Sequence, residues 1–266
     1  MPIVTVNDAE LNVFDQGQGP PILFVHGFPL NHTMWQAQLD AFAGSHRVIA
    51  PDLRGFGASG VSQATLSMER FADDLDALLN ALGVDEPITY CGLSMGGYVA
   101  WEFIRKYGSR LKALVLCDTR AAADSPEAVD NRRKMAQLVL ENGVEPIAKA
   151  MTPKLLSQAT LDSQPDVGRR LSEMILSTRP ETVAAALHAM AERADATEKL
   201  GSIGVPTLMV VGSEDILSTV DEMRGMSEAV PGANLVVIDG AGHMSPMEDP
   251  QAVNAALASF LESVSR

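Results

Sequence analysis

A serine flanked two positions away on each side by glycine, Gly92-Leu93-Ser94-Met95-Gly96, is the part of this sequence best suited to do chemistry. The apolar run Ile88-Thr-Tyr-Cys91 precedes it, and a helical pattern to Tyr107-Gly108 follows. A strand that turns sharply into a helix holds a serine hydroxyl exposed on strained backbone, and small flanking residues prevent clashes. The helix start at Met95 also aims N–H groups and a positive dipole end at an oxyanion. A bare G-x-S-x-G arises often by chance, so its partners decide. Asp215 follows the run ending at Val211-Gly212, and His243 lies in Gly240-Ala-Gly-His243-Met after the last apolar run. The order is nucleophile, acid, base. In that chemistry His243 takes the Ser94 proton, while Asp215 orients the imidazole and stabilises its charged form. Two other acids compete with Asp215. Glu214 is adjacent and points another way from the same turn. Asp118 ends its own strand and is placed to approach His243 from a different side.

His26-Gly27-Phe28-Pro29 follows an earlier apolar run. A backbone N–H from such a loop completes an oxyanion hole, which assigns the two donors to Phe28 and Met95. His26 is expected to hydrogen-bond its loop without turning over protons. In Asp52-Leu-Arg54-Gly55-Phe56-Gly57-Ala-Ser59 the glycines and the acid and base are expected to brace a loop beside the site. Of 13 methionines, Met34, Met95, Met244 and Met247 flank these motifs, and Met135, Met151, Met174 and Met190 fall between Thr119 and Ile203. Thioethers suit an adaptable apolar acyl pocket, although most methionines simply fill cores. Gly27, Met135, Met174 and Met244 are the pocket candidates. His32, His46, His188, Trp35 and Trp101 read as surface or packing residues. Cys91 and Cys117 read as buried free thiols late in neighbouring strands. No metal-ligand spacing and no dinucleotide-binding glycine motif is visible, so neither cofactor is expected.

The elements that must position these residues follow a βα rhythm. Val4–Val6, Leu11–Phe14, Pro21–Val25, Arg47–Pro51, Ile88–Cys91 and Leu111–Cys117 read as strands. Near-continuous Val/Ile/Leu runs suit a parallel sheet buried on both faces. Apolar residues at Phe71, Leu75, Leu78, Leu79 and Leu82 predict a helix over 68–82, stopped by Gly83. From Thr119 to Ile203 no strand is visible. Ser125 predicts an N-cap with Pro126 at the first helical position, and Pro165 and Pro180 open two further helices. The rhythm resumes with a strand at 206–211, a helix at 220–230, a strand at 234–238 and a helix at 250–264. The prediction is one open α/β sheet, 1–118 and 204–266, with a helical cap inserted at 119–203. A structureless loop of about 85 residues would argue against that assignment.

HGFP at 26–29, DLRGFGAS at 52–59, GLSMGG at 92–97 and GAGH at 240–243 occur in this order. On these motifs the whole chain resembles the α/β-hydrolase superfamily, and within it small-capped bacterial serine carboxylesterases. The resemblance implies an eight-stranded, mostly parallel sheet, no cofactor, and hydrolysis through an acyl-enzyme, with Phe28 and Met95 as the oxyanion donors. Similar epoxide hydrolases and haloalkane dehalogenases carry Asp at the elbow, so Ser94 argues against both chemistries.

Composition bounds the function further. The chain has 266 residues, 46% hydrophobic and 20% charged, as in ordinary globular domains. Acids outnumber bases 34 to 20, for a net charge of −14, which disfavours nucleic acid and anionic membrane as partners. An acidic surface also repels anions, which points toward neutral substrates. Two cysteines make no disulfide framework, the N-terminus has no signal-peptide pattern, and no apolar run is long enough to span a membrane. The expectation is a cytoplasmic protein, a monomer or small homo-oligomer, with a small-molecule ester substrate and water as partners. Three functions remain open: a carboxylesterase for short, neutral esters; a lactonase (enol-lactone type) or perhydrolase on the same triad; and a ligand-sensing protein on this fold with slow turnover.

Overall fold

The computed structural model describes residues 1–61 and 65–264. Eight strands form one sheet: β1 Ile3–Val6, β2 Ala9–Gln16, β3 Pro21–Val25, β4 Arg47–Pro51, β5 Ile88–Leu93, β6 Leu111–Cys117, β7 Thr207–Gly212 and β8 Asn234–Ile238. The spatial order is β1-β2-β4-β3-β5-β6-β7-β8. β1 and β2 pair antiparallel, as do β2 and β4; every later pairing is parallel. β3, β5 and β7 are buried along their whole length, as their unbroken apolar runs require. β8 closes one edge, and Val237 on it is exposed.

The flanking helices are α1 Gln36–Phe42, α2 Met68–Ala81, α3 Met95–Tyr107, α4 Pro126–Asn142, α5 Glu145–Leu155, α6 Gln158–Ser163, α7 Pro165–Ser177, α8 Pro180–Ala191, α9 Val220–Ala229, α10 Ser245–Glu248 and α11 Pro250–Val264. Their starts follow local chemistry. Ser67, Ser125 and Ser157 each accept a backbone N–H from the first turn of α2, α4 and α6, and Thr219 with Glu222 forms a capping box on α9. Five helices, α4 to α8, lie between β6 and β7. The sequence pattern located three of them. It missed α5 and α6 because Pro153 falls inside α5 and α6 has only six residues. β5 also runs two residues beyond Cys91, so the strand reaches directly to Ser94.

Parallel order brings the ends of β3 to β8 to one edge of the sheet, where α/β folds place their ligands. His26 to Phe28, Asp52, Ser94, Asp118, Asp215 and His243 all follow strand ends there. Asp52 and Arg54 brace this edge separately. Asp52 accepts from the His32 N–H, His32 Nδ1–H, Asn12 Nδ2 and Ala58 N–H. Burial alone would raise its pKa, yet these hydrogen bonds and the His32 ring hold it at about 2. His32 is thus a buried partner of Asp52, not a surface residue. Fully buried Arg54 pairs instead with Asp74, at 2.7 Å from Nε and 2.6 Å from Nη2, and with half-exposed Asp8. Removing Asp74 would leave the buried Arg54 guanidinium only the half-exposed Asp8 as a counter-charge. Asp74→Ala should therefore lower unfolding free energy by about 3 kcal/mol in urea titrations. A loss below about 0.5 kcal/mol, the size of an ordinary surface change, would contradict this role.

Candidate functional site

Ser94 stands at φ 52°, ψ −110°, a left-handed backbone that a side chain adopts only under constraint. The constraint is close packing on every side. A Cβ on Gly92 would lie 2.6 Å from Gly96 O, and one on Gly96 would lie 2.3 Å from Val25 O. A Cβ on Gly27 would lie 2.7 Å from Leu93 Cδ2 and 3.5 Å from Ser94 Cβ. The Ser94 N–H donates to Cys117 O, and Thr119 Oγ1 donates to Ser94 O, tying the turn to β6. Ser94 occupies the N-cap of α3, but its hydroxyl caps nothing there.

The hydroxyl turns instead to His243: Ser94 Oγ lies 2.9 Å from Nε2, and His243 Nδ1 lies 2.8 Å from Asp215 Oδ2. Asp215 Oδ1 accepts the N–H groups of Leu217 and Ser218, which fixes the carboxylate. With an ionised Asp215, Nδ1 carries the hydrogen and donates, leaving Nε2 to accept the Ser94 proton. The loop holding His243 is itself clamped. Buried Glu248 accepts the N–H groups of Gly242, Met244 and Ser157, joining this loop to the stretch just after α5. Nothing in the sequence pattern marks Glu248 for that role.

The competing acids lie elsewhere. Glu214 is exposed. Asp118 is fully buried at φ 46° and accepts from Gly212 N–H and, at 2.5 Å, from Ser245 Oγ, with no hydrogen bond to His243. Burial and the nearby Asp215 charge push its pKa well above the usual carboxylate range. His26 is also neutral: its Nδ1–H donates to Gly27 O, its Nε2 accepts Leu53 N–H, and burial lowers its pKa to about 4. The Phe28 and Met95 amides have no hydrogen-bond partner among the described residues. No group of three or more potential metal ligands occurs among the described residues.

Ser94, His243 and Phe28 line a cavity of about 400 Å³. Its apolar wall includes Met135, Met151, Leu187 and Met190 from α4, α5 and α8. Of the four pocket candidates, Met135 lies on this cavity, and Gly27, Met174 and Met244 are not among its lining residues. Gly27 sits behind the elbow, where its missing side chain makes room for Leu93. Met244 is fully buried because it heads α10, with its N–H bonded to Leu155 O and Glu248. Met174 lies on α7 at a separate cleft, where Thr33 Oγ1 donates to its sulfur. Helical spacing in this segment marks apolar faces without saying which face meets Ser94. The cavity also carries Arg120, Arg132 and Lys154 and, among the described residues, no acidic side chain. The net charge of −14 therefore does not describe the site, and it no longer argues for neutral substrates.

A family model for the alpha/beta hydrolase fold matches residues 20–250. The chain belongs to this family. It is a hydrolase, built on the eight-stranded, mostly parallel sheet that its motifs imply. It is similar to a thermophilic esterase from Thermogutta terrifontis, described with malate bound: 46% identity, TM-score 0.97, 99% of each chain covered. It is 30% identical to 3-oxoadipate enol-lactonase 2 of Acinetobacter baylyi over 97% of this chain and 96% of that protein. It is also 30% identical to the non-heme chloroperoxidase CPO-A1 of Kitasatospora aureofaciens over 98% of this chain and 99% of that protein. No helix among the described residues of this hydrolase is long and apolar enough to cross a membrane.

A carboxyl whose folded pKa is raised gives stability that is full below the unfolded pKa and is lost as pH rises through the folded value. Asp118→Asn cannot ionise, so its stability relative to the parent should rise steadily as pH increases above about 4. Denaturant midpoints of both proteins across pH 4 to 9 measure this. A constant difference would contradict a protonated Asp118.

Proposed function

We propose that this hydrolase is a carboxylic ester hydrolase for short acyl chains, with Ser94 as nucleophile, His243 as base and Asp215 as orienting acid. The observation that supports this reading best is the relay from Ser94 Oγ through His243 to Asp215 beside a half-enclosed apolar cavity. In this mechanism Ser94 Oγ attacks the ester carbonyl as His243 Nε2 takes its proton. The Phe28 and Met95 N–H groups receive the oxyanion. The tetrahedral species collapses, His243 returns the proton to the leaving alkoxide, and an alcohol departs. Water, deprotonated by His243, then cleaves the acyl-Ser94 bond and releases the carboxylic acid. Residues 119–203 act as a cap that supplies the acyl wall, over a core of 1–118 and 204–266. A second reading, lactone hydrolysis through the same steps, is supported by the similarity to the enol-lactonase over nearly the whole chain.

Ser94→Ala should reduce turnover of p-nitrophenyl butyrate by about 10⁴-fold or more, and Asp215→Asn by about 10³- to 10⁴-fold. Asp118→Asn should cost less than about tenfold, since it touches neither His243 nor the reacting atoms. Near-parental turnover by Ser94→Ala, or a larger loss for Asp118→Asn than for Asp215→Asn, would overturn the assignment.

The cavity also sets a size limit. Each buried methylene contributes about 0.8 kcal/mol, so kcat/KM should rise from acetate to butyrate. A decanoyl chain must displace packed side chains at a cost of about 1–3 kcal/mol, so kcat/KM should fall by roughly tenfold. An optimum at decanoate or longer would reject the short-chain reading.

A further inference from the structure

The charge inside the Ser94 cavity runs against the rest of the molecule. The chain carries 34 acids and 20 bases, yet the charged side chains lining the cavity are Arg120, Arg132 and Lys154. They come from three separate elements, the stretch after β6, α4 and the last turn of α5. Two have partners. Arg120 donates to Leu217 O and, at 3.2 Å, to Glu222. Arg132 pairs with Asp124, a carboxylate it shares with Arg193, whose Nη1 lies 2.8 Å from it. Asp124 thus serves two guanidiniums, and Asp195 also lies within electrostatic reach of Arg193. Arg193 in turn lies 4.1 Å from the centre of the Tyr98 ring, another lining residue. Lys154 has no ion-pair partner among the described residues.

Lys154 is also held in register with the chemistry. The carbonyl of the next residue, Leu155, accepts the N–H of Met244, which directly follows His243, and Glu248 fastens Ser157 to the same loop. Lys154 itself lies in the last turn of α5, where the helix dipole favours a cation. An exposed cation on a cavity whose other charged lining residues, Arg120 and Arg132, are also basic fits an anion on the substrate.

We propose that this site is selective for esters or lactones whose acyl portion carries a carboxylate, received by the Lys154 ammonium with Arg132 as a second cation on the same lining. The inference rests on the serine-hydrolase reading above. It refines that reading, since an apolar acyl stem fills the methionine wall while the carboxylate meets the cations. Because the acyl group stays on the enzyme through both half-reactions, such a contact serves acylation and deacylation alike.

The test compares the monomethyl esters of succinate, glutarate and adipate with the corresponding dimethyl esters at low ionic strength. The best monoester should exceed its neutral partner in kcat/KM by about tenfold, mainly through KM, and 1 M salt should erase most of that ratio as the Debye length falls to about 3 Å. Lys154→Met should bring the ratio near one, and Lys154→Glu should invert it. Lys149→Met, on the same helix but not on the cavity, should keep the parental ratio. A ratio near one in the parent, or one unchanged in both Lys154 variants, overturns the proposal while leaving ester hydrolysis at Ser94 intact. If neither ester is turned over, calorimetric binding of the same pairs to Ser94→Ala decides the anion site by itself. Tighter binding of the monoester that Lys154→Met abolishes supports the site, and equal binding overturns it.

Discussion

Most of this molecule is arranged around one steric constraint: at the end of β5 the chain turns into α3 with no room for a side chain beside Ser94. The carbonyl oxygens of Gly96 and Val25 stand where Cβ atoms of Gly92 and Gly96 would fall. At this close approach Ser94 stands at positive φ, and its hydroxyl does not cap the helix. The same tight packing recurs at the other half of the site. A Cβ on Gly212 would lie 2.1 Å from Gly242 O, so β7, which leads to Asp215, and the loop carrying His243 are pressed together. The 2.8 and 2.9 Å contacts across the three side chains depend on these backbone approaches as much as on the side chains themselves.

Two neighbouring carboxyls show how environment divides roles. Asp118 and Asp215 follow adjacent parallel strands, β6 and β7, on the same edge of the sheet. Asp215 accepts two backbone N–H groups and the His243 ring. Asp118 is sealed from solvent beside it and is pushed toward its neutral form by burial and by the Asp215 charge. Around them His26 and Asp52 hold their loops by hydrogen bonds, one as a neutral ring and the other as a carboxylate.

How much of this was legible in the sequence follows from how local each signal is. Strand runs such as Pro21–Val25, Arg47–Pro51 and Leu111–Cys117 and the Ser125-Pro126 helix start are written in consecutive residues, and the structure has the same bounds. The motif order placed Ser94, Asp215 and His243 at strand ends, and geometry brings them together. The cavity was less legible. Whether Met135 or Met174 faces Ser94 depends on how α4 and α7 pack, which helical spacing does not encode. Glu248 acts through its bond to Ser157, a residue distant in sequence. The −14 net charge was informative about the surface as a whole and misleading about the cavity, because three bases from separate segments converge there.

The proposed hydrolysis turns on covalent acylation of Ser94. Mass spectrometry of the protein treated with a p-nitrophenyl alkylphosphonate addresses it directly, because phosphonylated serine does not turn over on the timescale of the experiment. The account predicts one equivalent of label, on the peptide containing Ser94, with loss of esterase activity in proportion, and no label in His243→Ala at the same dose. Full inactivation with the label on another residue, or full activity retained with Ser94 fully labelled, would contradict it.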